Sequence, residues 1–244
     1  MNYLFANWKM YLGLEDSIEL AKKYLDLDLD NIKMAVFPSA LSLTTVKEGL
    51  QGSEVSIGAQ NIYWVERGGY TGEVSAFMYK DVGAEFALIG HSERRHQFKE
   101  TNEDVRQKME ATIKADLAPV LCVGETKVER DTEMTDKVVQ EQILSALEGL
   151  QFDGSLIIAY EPVWAIGTGD NCSAVSAEHL AEKIKLWVKD AGLETEPVVL
   201  YGGSVRPENV AEYLKQPNIS GVLVGGASTK FDEWQGIINN AKSL

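Results

Sequence analysis

Eight short apolar runs, each separated from the next by a longer polar or amphipathic stretch, constrain this chain more than any other feature. The runs are Tyr3–Asn7, Met34–Phe37, Val55–Ala59, Ala87–Gly90, Pro119–Val123, Leu156–Tyr160, Val198–Tyr201 and Gly221–Val224. They are short, rich in β-branched and aromatic residues, and bounded by turn formers, so they read as buried strands. Between them, Glu15–Leu25, Asn102–Ala115, Lys137–Leu150 and Ala177–Ala191 repeat apolar side chains at helical intervals, as the shorter Glu208–Leu214 and Glu233–Ala241 do. Strands that are apolar throughout need cover on both faces. Eight strand–helix units in 244 residues fit an α/β fold, a closed (β/α)8 barrel. An open doubly wound sheet is the alternative, but no G-x-G-x-x-G turn follows the first strand. No Gly/Ser linker or break in composition divides the chain, so residues 1–244 are expected to form a single domain.

Charge and cysteine content narrow the function classes. A net charge of −14 argues against nucleic-acid and membrane-surface partners, though a local cationic site can still take a small anion. Cys122 and Cys172 are far apart in sequence and form neither a disulfide framework nor a metal cluster. Apolar periodicity begins at Tyr3 and no apolar run reaches membrane-spanning length, so a cytoplasmic protein is expected.

In a barrel of this kind, chemistry collects where strands end. Asn7-Trp8-Lys9 ends the first strand, Gly90-His91-Ser92-Glu93-Arg94-Arg95 the fourth and Glu161-Pro162 the sixth. Tyr201-Gly202-Gly203-Ser204 and Gly225-Gly226 end the last two. A Lys, a His and a Glu therefore meet on one face beside two Gly-Gly turns. After Glu161, the mixed apolar and glycine stretch Val163–Gly169 reads as a loop that folds over a ligand and excludes water.

These segments, with Gly58-Ala59-Gln60-Asn61, Gly72-Glu73-Val74-Ser75, Cys122-Val123-Gly124-Glu125 and Ala227-Ser228, resemble the triosephosphate isomerase family from first strand to last helix, in family order. The resemblance implies interconversion of dihydroxyacetone phosphate and glyceraldehyde 3-phosphate through an enediol, with no metal or organic cofactor. It implies Glu161 as the base, its basicity raised by desolvation beneath the lid. His91 resembles the neutral electrophile, with Ser92 as the expected cap of a following helix whose dipole opposes imidazolium. Lys9 resembles the cation that stabilises the developing charge; Asn7 orients it and bonds the substrate, and Glu93 pairs with it. Gly167, Ser204, Gly225 and Gly226 resemble the phosphate grip, largely through backbone N–H groups. Tyr201 and Ser204 resemble the latch of the closed lid, and Glu125 the partner of Trp164 in the open one. Arg94 and Arg95 are expected as ion-pair scaffolding, Cys122 as packing, and His96 and His179 as surface or packing residues.

The chain departs from the family at Asp170-Asn171-Cys172, where Lys, a small residue and Ala are usual, and at Ala76, where Pro is common. A lid that opens readily is expected from the first, and a slightly looser turn from the second. The segment 60–73 carries Ile62, Tyr63, Trp64, Val65 and Tyr70, which needs cover. By resemblance it inserts beside Lys9 of a second subunit, making a homodimer; a self-packed loop is the alternative. A different phosphate-binding barrel enzyme and a non-catalytic barrel are the other functional readings, and the joint presence of Lys9, His91 and Glu161 opposes both.

Overall fold

In a computed structural model, residues 1–151, 154–166 and 171–244 are described. Eight parallel strands close into a barrel in sequence order: β1 (Asn2–Asn7), β2 (Ile32–Phe37), β3 (Ser56–Ala59), β4 (Phe86–Ile89), β5 (Ala118–Val123), β6 (Ile157–Tyr160), β7 (Val198–Tyr201) and β8 (Gly221–Val224). Closure is by β8 against β1, with Tyr3 opposite Gly221. Glycine is needed there, because a Cβ at Gly221 would stand 2.1 Å from the Tyr3 carbonyl oxygen.

Every expected strand is present within two residues of its expected ends. The long helices Leu14–Tyr24, Asn102–Lys114, Thr135–Leu147, Ala174–Asp190 and Phe231–Lys242 also fall where periodicity put them. Four helices of five to seven residues were not assigned as elements from periodicity: Leu43–Gly49, Ala76–Asp81, Ser92–Gln97 and Lys127–Asp131. One or two turns are too short for a 3.6-residue repeat to show. Ala76 opens one of these, and Ser75 caps it by accepting the Met78 N–H at 3.2 Å.

Two apolar layers follow from the two-residue alternation of a strand. Phe5, Phe37, Phe86, Leu88, Val120 and Ile157 fill the barrel interior, while Leu4, Val36, Ile89, Leu121 and Ile158 pack outward against the helices. That alternation also aims the site. Asn7 continues the inward parity of Phe5, and Glu161 that of Ile157 and Ala159, so both rise at the carboxyl end of the barrel axis. His91 is out of parity with Leu88. Gly90 corrects this with φ +69°, a conformation that glycine adopts without strain.

Candidate active site

The carboxyl ends of the strands surround a cleft of ≈ 700 Å³ lined by Asn7, Lys9, His91, Glu93, Glu161 and Ile166, and further round by Ser204, Gly225 and Gly226. The structure thus brings together every described member of the expected set. Gly167 through Asp170 lie outside the described residues, so the expected phosphate contact of Gly167 and the first residue of the unusual hinge are not located.

Glu161 is buried. Its Oε1 lies 2.9 Å from His91 Nε2, and its Oε2 accepts the Ser92 N–H at 2.8 Å. Space for it comes from two glycines. A Cβ at Gly202 would stand 2.9 Å from Glu161 Cγ, and one at Gly124 would stand 1.8 Å from its carbonyl oxygen. Burial raises the carboxyl, but the His91 ring, its hydrogen bond, the Ser92 N–H and Lys9 together outweigh it and hold it below the ordinary glutamate range. This corrects the expectation of a carboxylate made more basic by desolvation. Burial does act in that direction, but in this arrangement the carboxylate rests on donors of its own.

His91 Nδ1 accepts the Glu93 N–H at 3.2 Å. With Nδ1 accepting a backbone N–H, Nε2 is the ring nitrogen that faces the Glu161 carboxylate. The cap of the helix Ser92–Gln97 is therefore His91 itself, not Ser92 as the sequence suggested. The polarity argument survives the change, since an N–H of the helix's first turn points directly at the ring.

Lys9 has φ +48°, an uncommon conformation for a residue with a side chain. Asn7 Oδ1 stabilises it by accepting the Lys9 N–H at 3.0 Å, and Gln60 Nε2 donates to the Lys9 carbonyl at 2.7 Å. The role of Gln60 was not read from the sequence beyond its place in a motif; an amide directly after a strand end was the available signal. Lys9 Nζ reaches Glu93 Oε1 at 2.7 Å, the expected pairing. Gly225 leaves room for the Lys9 stem, as a Cβ there would stand 3.1 Å from Cε.

Arg94 pairs with Glu100 at 2.6 Å, as scaffolding should. Arg95 instead braces backbone: it donates to the Gly90 carbonyl at 2.8 Å and, more weakly, to that of Cys122 at 3.4 Å, and it also bonds Asn102. Cys122 is fully buried in the barrel interior, and burial pushes its thiol up. His96 and His179 are exposed.

Glu125 accepts from Trp164 Nε1 at 2.8 Å and from the Tyr160 hydroxyl at 3.1 Å. Arg130 lies 4.1 Å from the Trp164 ring centre. Burial raises the Glu125 carboxyl above its ordinary range despite these donors. Cys172 is buried and its carbonyl accepts the Tyr213 hydroxyl at 2.7 Å. Tyr213 stacks on Tyr201 with ring centres 3.9 Å apart, which links Tyr201 to Cys172 through one side chain. After β8, Gly226–Thr229 forms a short 3-10 helix at the cleft.

Segment 60–73 is partly self-packed. Ile62 is buried, and Tyr63 stacks on Trp64 at 4.2 Å and against Tyr70 at 4.7 Å. Met10 and Tyr11, which follow Lys9, are 95% and 64% exposed. No helix among the described residues is long and apolar enough to cross a membrane.

A sequence model of the triosephosphate isomerase family matches residues 2–241. The triosephosphate isomerase of Alkaliphilus metalliredigens is 39% identical over 240 residues, covering 96% of this chain and 97% of that protein. That of Carboxydothermus hydrogenoformans is 41% identical over 246 residues, 98% of each chain. That of Rhodopirellula baltica is 42% identical over 245 residues, 98% of this chain and 96% of the other.

Proposed function

The chain belongs to the triosephosphate isomerase family and interconverts dihydroxyacetone phosphate and glyceraldehyde 3-phosphate, and we propose that Glu161, His91 and Lys9 carry the reaction in the roles that follow. The observation that supports this most is the contact between the Glu161 carboxylate and His91 Nε2 at 2.9 Å, with His91 Nδ1 placed to accept the Glu93 N–H.

Isomerisation requires removal of a proton from the carbon next to a carbonyl, and stabilisation of the oxyanion that forms. Glu161 takes the proton and returns it to the neighbouring carbon. To do so its side chain leaves His91 and Ser92 and swings into the cleft, where the absent Cβ of Gly202 gives it room. The departure frees His91 Nε2–H to donate to the substrate oxygen. A neutral donor also matches the enediol better than imidazolium, because it can pass a proton between the two oxygens and recover it. Lys9 exchanges Glu93 for the oxyanion. Asn7 keeps Lys9 in its strained backbone and bonds the substrate. Gly167, Ser204, Gly225 and Gly226 present N–H groups to the phosphate, and Glu125 holds Trp164 while the lid is open.

Residues 1–244 act as one catalytic domain. The enzyme works as a homodimer in the cytoplasm, with segment 60–73 covering the exposed residues after Lys9 of its partner. The test is isomerisation in heavy water. Product should carry deuterium on the carbon that received the proton, and Glu161→Gln should abolish both turnover and label; a Glu161→Gln protein that still labels its product removes Glu161 as the base.

A further inference from the structure

Among the described residues, the cations on the cleft wall are Lys9, Arg206 and Lys230. Two of them are committed. Lys9 is paired with Glu93 at 2.7 Å, and Lys230 with Glu233 at 2.7 Å. The Arg206 guanidinium is exposed and has no ion-pair partner among the described residues. Its backbone is nevertheless fixed. The Arg206 N–H donates to Asn209 Oδ1 at 2.8 Å, and Asn209 Nδ2 donates to the Ser204 carbonyl at 3.1 Å. One side chain thus ties Arg206 to Ser204, at the end of the cleft where the phosphate is proposed to sit. The substrate is a dianion and the chain carries −14, so the protein as a whole repels what it must bind.

We infer that Arg206 is a capture residue, a free positive charge at the mouth of the cleft that draws the phosphate dianion in before Lys9 and the backbone N–H groups take hold of it. Glu208 lines the same wall with the opposite sign and opposes the capture. A unit charge about 10 Å from a dianion in water changes the dianion's local concentration about fourfold, and salt screens the effect. The inference rests on the proposed phosphate end of the site. Failure of that reading would appear as kcat/KM insensitive to side chains added at Gly225 or Gly226, whereas failure of this one leaves those variants impaired.

The experiment measures kcat/KM for glyceraldehyde 3-phosphate from low to high ionic strength in wild type, Arg206→Gln, Arg206→Lys and Glu208→Gln. Arg206→Gln should lose about fourfold at low salt and converge on wild type at high salt. Arg206→Lys should restore most of the loss, and Glu208→Gln should gain at low salt. Glyceraldehyde, which lacks the phosphate, should be turned over equally by wild type and Arg206→Gln. Equal kcat/KM for wild type and Arg206→Gln at low salt overturns the inference. So does a loss that persists unchanged at high salt, or one shared by glyceraldehyde, because neither is a long-range charge effect.

Discussion

The Glu161 carboxylate rests against the His91 ring, Oε1 2.9 Å from Nε2. The proposed base and the proposed electrophile therefore satisfy each other when no substrate separates them. A buried carboxylate without a donor would be costly, and a neutral imidazole N–H without an acceptor would also be. In the proposed mechanism the same two groups are released together when Glu161 turns toward a ligand, so loading the base and baring the electrophile would be one motion.

That resting arrangement gives the stability of the protein two opposed dependences on pH. Glu161 is held below its ordinary range when folded, so its contribution is present above the unfolded value and is lost as pH falls through the folded one. Glu125 is raised when folded, so its contribution is present below the unfolded value and is lost as pH rises through the folded one. Thermal melts across the acid range should show a shallower acid loss in Glu161→Gln than in wild type. In Glu125→Gln the decline from mildly acid toward neutral pH should disappear. Parallel curves for wild type and either variant would contradict the assignment.

Two glycines beside Glu161 should fail in different ways. At Gly202 a Cβ meets the Glu161 side chain at 2.9 Å, and at Gly124 it meets the backbone oxygen at 1.8 Å. A side chain can shift where a strand end cannot. Gly202→Ala should fold and lose on the order of 10²-fold in kcat, since a base displaced by about 1 Å loses that much. Gly124→Ala should cost about 2 kcal/mol or more of stability by overpacking. Kinetics of the first and denaturant melts of the second check this.

Gln60 bridges two strand ends, donating to the carbonyls of Lys9 and of Phe37 at 2.8 Å. Gln60→Ala should loosen Lys9 and lower kcat/KM about tenfold, with loss of about 1 kcal/mol of stability, since the Phe37 carbonyl keeps the Trp8 N–H at 3.1 Å. Gln60→Glu, which offers no donor, should do no better. Normal kcat/KM in Gln60→Ala would remove it from the positioning of Lys9.

The barrel was legible in the sequence because its strands are apolar throughout and its long helices repeat over several turns. The short helix Ser92–Gln97 was anticipated only through a cap, and the cap was misassigned, since nothing in Gly90-His91-Ser92 reveals that an imidazole nitrogen takes the Glu93 N–H. The Glu161 shift was misjudged for a related reason. Desolvation can be read from an apolar neighbourhood, whereas a donor such as the Ser92 N–H, 69 positions away in the chain, becomes visible only once strands are placed. Gln60 and Gly202 matter through clearance and reach across the barrel mouth, which no local pattern encodes.

The apolar segment 60–73 and the exposed Met10 and Tyr11 tie activity to assembly in the dimer reading. Shortening residues 63–69 should yield a monomer with weak activity, as Lys9 loses the cover that orders it. Sedimentation with parallel assay decides it: a fully active monomer, or a monomeric wild type, separates the interface from the site.

The most direct test of the central claim is kcat of Glu161→Asp. The substitution keeps the charge and withdraws the carboxylate by one methylene, a displacement on the order of 1 Å that should cost at least about 10²-fold in kcat, with KM changed far less. A folded Glu161→Asp enzyme with near-normal kcat would contradict the assignment of Glu161 as the base.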